Sequence, residues 1–156
     1  MVPEDRAKVY DMRKVAAATD DGRIVVAGDT QRGGALVRYT MAGTLDDTFS
    51  GDGKLISDFA GIAAVGAGVA IDEAGNLVVV GTYAGEGFAL ARYTSAGQLD
   101  TSFGAGGLVT TEFAGNSGAA ADVLIQPDGA IVAVGVADTE TPDGFALAFA
   151  SARYLP

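Results

Sequence analysis

Short apolar runs recur along the whole chain, each closed by Gly, Asp, Asn, Thr or Pro, in the manner of strands joined by frequent turns. The runs are copies of one another. Gly22-Arg-Ile-Val-Val-Ala-Gly28 matches Gly75-Asn-Leu-Val-Val-Val-Gly81 and Gly129-Ala-Ile-Val-Ala-Val-Gly135, offset by 53 and then 54 positions. Ala35-Leu-Val-Arg-Tyr-Thr40 returns as Ala89-Leu-Ala-Arg-Tyr-Thr94, and a looser copy closes the sequence as Phe145-Ala-Leu-Ala-Phe-Ala-Ser-Ala-Arg-Tyr154. Gly43-Thr-Leu-Asp-Asp-Thr-Phe49 returns as Gly97-Gln-Leu-Asp-Thr-Ser-Phe103. A fixed period of this length marks a solenoid, a propeller or an array of supersecondary units.

Each unit reads as four strands. Strand a covers about 15–19, 68–72 and 122–126, and a turn follows at Asp20-Asp-Gly22, Asp72-Glu-Ala-Gly75 and Gln126-Pro-Asp-Gly129, with Gly where a positive φ is required. Strand b covers 23–28, 76–81 and 130–135, and its unbroken Val/Ile character predicts burial on both faces. Strand c covers 35–40, 87–94 and 145–154, with extra residues in the third copy around Thr139 to Pro142 and near Phe149 to Ser151. Strand d covers 54–59 and 108–113, and no third copy follows Tyr154. Lys8-Val-Tyr-Asp-Met12 shares the Lys-apolar opening and Asp-apolar close of 54–59, so it is expected to be a displaced fourth strand.

The expected class is therefore all-β, a β-propeller with three four-stranded blades in one repeat domain over 1–156. The units run approximately 13–59, 60–113 and 114–156, with 8–12 as a displaced outer strand. The run Gly-x-Leu-Asp-x-x-Phe, a Gly-rich turn, Pro-Asp-Gly-x-Ile-Val-x-x-Gly and Phe-Ala-Leu-Ala-Arg-Tyr resembles the delta-60 repeat, a bacterial family of β-propeller-like units. The match is clearest over 87–135; the first unit has Asp20-Asp21 in place of Pro-Asp, and the third lacks the Leu-Asp-x-x-Phe tail. The resemblance implies the fold and a large secreted or cell-surface parent protein, and it supplies no catalytic motif.

Propellers close with about four to eight blades, so three units are expected to be half of a ring. Two chains joined about a two-fold axis would give six blades, the N-terminal strand of each completing the last blade of the other. The expected assembly interface is Lys8, Val9, Tyr10, Asp11 and Met12 against Phe145, Leu147, Phe149, Arg153 and Tyr154. A cut from a longer repeat array is the alternative.

Charge and composition narrow the chemistry. Ten basic and 20 acidic residues leave a net charge of −10 with no cationic cluster, which argues against nucleic-acid binding. No apolar run approaches the length of a membrane span, and no secretory leader is expected at Met1-Val-Pro-Glu-Asp-Arg6. With no His and no Cys, imidazole bases, thiol nucleophiles, disulfides and thiolate metal sites are absent. What remains is carboxylate, Tyr or Lys chemistry, and a catalytic role is the less favoured reading.

Asp46 and Asp52 in Asp46-Asp-Thr-Phe-Ser-Gly-Asp52 are the candidate calcium ligands, but the spacing departs from the twelve-residue calcium loop and lacks its closing Glu. Only Asp46 persists, as Asp100, and a repeated Asp beside a turn more often caps backbone. No cofactor is expected, with Ca²⁺ as the alternative. Arg38, Arg92 and Arg153 recur once per unit and are expected to tie strand c to the turn that follows it by an Arg–Asp pair, in preference to forming an anion-binding ring. Asp20, Asp21, Asp72, Glu73 and Asp128 should form an acidic rim, while Gly61 to Gly68 suits close packing at a propeller axis better than phosphate binding. Asp72, Asp122 and Gln126 are the few polar candidates for a carboxylate-metal hydrolase. The preferred function is a non-catalytic scaffold that binds a protein or glycan partner; a divalent-cation or small-ligand site at the acidic loop ends or channel is the alternative.

Overall fold

The computed structural model describes residues 15–30, 33–57, 64–83, 86–113, 117–142 and 144–156, which form three antiparallel sheets and no helix. The first sheet has the order β1 (Val15–Ala18), β2 (Ile24–Thr30), β3 (Gly33–Tyr39), β4 (Lys54–Ser57). The second repeats it with β5 (Ala64–Ile71), β6 (Leu77–Tyr83), β7 (Gly87–Tyr93) and β8 (Leu108–Glu112). The third holds β9 (Gly118–Ile125), β10 (Ile131–Thr141) and β11 (Gly144–Tyr154), with β11 at its edge where β4 and β8 stand in the others.

Turn chemistry sets these boundaries. Gly22, Gly75 and Gly129 adopt φ of 80°, 81° and 80°, the left-handed conformation that glycine reaches without a Cβ penalty, so each a-to-b turn closes the same way. The inner strands β5 and β9 start four residues earlier than the apolar pattern indicates, at Ala64 and Gly118, and both carry a register shift that bends them. Small residues allow this close approach. A Cβ on Gly68 would lie 3.0 Å from Asp122 Cα of the neighbouring inner strand.

Alternation along each strand builds two cores. Val25, Ala27 and Leu36 of the first sheet meet Leu77, Val79, Ala91 and Tyr93 of the second, with Phe49 between them. Val78, Val80, Phe88 and Leu90 leave the second sheet from its opposite face and meet Ala120, Val123, Ile131 and Ala133 of the third. The prediction that strand b is buried on both faces holds for Leu77–Gly81, which is wholly buried, because among the described residues only this sheet is sandwiched. In the flanking sheets one face is open: Ile24 is 44% exposed, Leu124 51% and Val136 37%.

Candidate functional site

The Leu-Asp-x-x-Phe turn is the most structured polar feature. Leu45 bridges back to Tyr39, which folds the turn onto the end of β3 and brings Asp46 beside Arg38. Arg38 Nε donates to Asp46 Oδ2 at 2.8 Å, Arg38 Nη2 donates to Thr48 Oγ1 at 2.9 Å, and Arg23 Nε lies 2.9 Å from the same Asp46 oxygen. Thr48 donates to Asp46 Oδ1 through its hydroxyl at 2.6 Å and its backbone N–H at 3.2 Å. The guanidinium carbon of Arg38 stands 4.8 Å from the centroid of the Phe49 ring. Chiefly the Thr48 hydroxyl, with its N–H and Arg38, holds the Asp46 carboxyl below its ordinary pKa, against the opposing effect of burial.

The second unit is built alike. Arg92 Nε donates to Asp100 Oδ2 at 2.7 Å, Ser102 donates to Asp100 Oδ1 at 2.6 Å, and Arg92 lies 4.7 Å from the Phe103 centroid. Ser102 is the main cause of a lowered Asp100 pKa. The expected Arg–Asp pairs within units one and two are thus present. Arg153 turns elsewhere, donating to Gln126 Oε1 at 2.7 Å and to Asp128 Oδ2 at 2.6 Å in the preceding a-to-b turn.

Three features of the first turn are not legible in the spacing. Arg38 also donates through Nη1 to the carbonyl of Ser95 in the second sheet, and Ser50 N–H donates to Ala96 O at 2.9 Å. Phe49 lies against Gly97, so the turn latches one sheet to the next. The recurrence of Gly97 at Gly43 hinted at a special position, but only the stacking of the sheets reveals which ring it receives.

The candidate calcium ligands have other partners: both oxygens of Asp46 are engaged as above, and Asp52, which is exposed, accepts from Lys54 N–H at 2.9 Å. Among the described residues, no group of three or more carboxylates is placed to hold a metal ion. Asp72 accepts from the N–H groups of Ala74 and Asn76 at 2.9 and 2.8 Å, and Asp128 from Ala130 N–H at 3.0 Å, so the rim carboxylates close turns. Asp122 is exposed on β9 and accepts from Val123 N–H, apart from Asp72 and Gln126, which face a shared cleft. That cleft, of about 390 Å³, separates the second and third sheets; one of about 450 Å³, with Asp20, Asp21, Arg38, Asp72 and Glu73 in its walls, separates the first and second.

The expected assembly residues divide. Phe145, Leu147 and Phe149 stand 61%, 68% and 77% exposed on one face of β11. Tyr154 faces the opposite way, into the core with the second sheet, where its hydroxyl is 2.7 Å from Thr111 Oγ1. Burial raises its pKa above 10.0, with the Thr111 hydrogen bond opposing. Arg153 is occupied by Asp128, and Lys8–Met12 lies outside the described residues.

The turn and its latch fall inside the two segments that match a known family. Residues 19–49 and 75–103 match the family described as "Domain of unknown function (DUF5122) beta-propeller". These two segments match β-propeller repeats of the kind to which the delta-60 repeat belongs. The first match runs from the a-to-b turn through Arg38 to Phe49 and the second from Gly75 through Arg92 to Phe103, so the Arg–Asp–Phe turn lies within both matched segments. No curated protein matches the chain. Among the described residues, no helix is long and apolar enough to cross a membrane.

Proposed function

We propose that this chain is a non-catalytic β-propeller scaffold whose loop ends engage a protein or glycan partner, and that two copies complete a six-bladed ring. The observation that carries the assembly is the pairing of open faces. Within the chain, the Val25/Ala27 face of one sheet meets the Leu77/Val79 face of the next, and the Val78/Val80 face meets Ile131/Ala133. By the repeat register, the faces that no other described sheet meets are Ile24/Val26 on the first sheet and Val132/Val134 on the third, one of each kind.

Matching open faces at the two ends of a three-sheet stack generate a closed ring when a second copy is added. Three sheets alone would crowd the axis, whereas two copies bring the number within the usual range of about four to eight. The N-terminal segment holding Lys8–Met12 supplies the fourth strand along the outer edge of β11 in the partner, an edge that no described strand pairs. Light scattering on the eluting protein tests this: the expected mass is twice 15.6 kDa, and a single-chain mass at high micromolar concentration overturns it.

A further inference from the structure

The β10–β11 hairpin is longer than its counterpart. In the second sheet, β6 and β7 pair from Leu77↔Tyr93 to Tyr83↔Gly87. In the third, the equivalent register runs from Ile131↔Tyr154 to Ala137↔Ala148 and then continues through Asp138↔Leu147, Glu140↔Phe145 and Thr141↔Gly144. The extra residues expected around Thr139 to Pro142 become additional rungs of a projecting arm, whereas those expected near Phe149 to Ser151 are not extra, since they pair at the positions of Phe88–Leu90. On its outward face β11 sets Phe145, Leu147 and Phe149, all more than half exposed, in one row beside Glu140, Asp138 and Val136 of β10. Large apolar side chains lined up in this way mark a surface that is covered in use.

The repeat register says what covers it. Phe149 and Phe88 each stand five residues before the tyrosine that pairs with the first residue of strand b. Phe88 is fully buried because a following sheet presents its Ile131/Ala133 face to it. The face of that kind left open is Ile24/Val26 on the first sheet, where Ile56 is also 56% exposed. Such a face is available to β11 on another copy of this chain.

We propose that the β10–β11 arm is a clasp for a second copy of this chain. Phe149 takes the position that Phe88 holds between the second and third sheets, and Phe145 and Leu147 extend the apolar contact along rungs that the second sheet does not have. The clasp rests on the two-copy ring proposed above. It makes the closing contact longer than that between the second and third sheets.

Two variants separate the clasp from the ring. In Phe145→Glu/Leu147→Glu the substitutions fall on exposed rungs of the arm, so the fold of the single chain is expected to be unchanged by circular dichroism and melting. The concentration at which two-copy mass falls to single-chain mass should rise about tenfold or more. In Val134→Glu the substitution strikes the sheet face that the ring itself needs, and the two-copy mass should be lost. If the arm variant dissociates at the wild-type concentration while Val134→Glu dissociates fully, the clasp is overturned and the ring stands. A wild-type protein of single-chain mass overturns both.

Discussion

The ring of Phe49 packs onto Gly97 of the next sheet so closely that a Cβ built on Gly97 would lie 2.8 Å from Phe49 Cε2. The contact joins a turn inside one repeat to a turn inside the following one. Gly97 also holds φ at 83°, so its lack of a side chain serves the turn and the contact together.

Gly97→Ala should therefore cost about 2–4 kcal/mol, from left-handed strain together with displacement of a buried aromatic ring. Gly43 has nearly the same φ, 79°, with nothing within 4 Å of its Cβ position, so Gly43→Ala should cost only about 1 kcal/mol. Urea denaturation of the two variants checks the difference, and equal losses would count against the latch.

Asp46→Ala should destabilise by about 2–4 kcal/mol, because it strands the buried Arg38 guanidinium. Asp100→Ala should cost less, since Arg92 and Asp100 are 15% and 18% exposed against 7% and 4% for Arg38 and Asp46. Both carboxyls have a folded-state pKa below the unfolded value, so their contribution is present above the ordinary carboxylate pKa and is lost as pH falls through the lowered one. Thermal melting of wild type and Asp46→Asn from neutral pH to strongly acid pH should show the wild-type advantage shrinking below about pH 4.

Alkaline behaviour should centre on Tyr154. Its folded-state pKa is raised by burial, so its stabilising effect is complete below the unfolded value near 10.0 and is lost as pH rises through the folded one. Tyr154→Phe should cost about 1 kcal/mol at neutral pH through loss of the Thr111 hydrogen bond, and should flatten the fall in melting temperature above pH 10. A parallel fall in both proteins would assign the alkaline loss to another group.

Phe88 and Phe149 occupy one repeat position in opposite environments. Phe88 is fully buried, 4.7 Å centroid to centroid from Phe113 in an edge-on arrangement at 65°, so Phe88→Ala should cost about 3–5 kcal/mol. Phe149→Ala should leave the stability of the isolated chain within about 0.5 kcal/mol, measured at a concentration where only single-chain mass is present. A large loss at Phe149 under that condition would mean that the arm packs within its own chain.

The repeat, the strand count of the first two units, the positive-φ glycines and the Arg–Asp pairs of those units were all legible in the sequence. Each depends on local geometry: turn chemistry at Gly22, Gly75 and Gly129, alternation within strands, and an eight-residue separation that a folded-back turn brings within hydrogen-bond reach. The early starts of β5 and β9 were not, because Ala-Val-Gly-Ala and Gly-Ala-Ala-Ala carry little strand propensity and are held extended by pairing with β6 and β10. Nor did periodicity say which of Tyr154 and Phe149 points inward. Residues five apart on a strand face opposite sides, and only the stacked second sheet decides that Tyr154 points into a core and Phe149 away from it.

By itself the sequence determined what the first two repeats are, because their turns and alternation specify a four-stranded unit without reference to any other. Tertiary structure alone decided how the units hold one another, through the passage of Arg38 and Phe49 from one sheet to the Ser95–Gly97 turn of the next and through the faces left unmet at either end. Those contacts join positions more than forty residues apart, and their partners are fixed by the stacking of sheets, which no local pattern encodes.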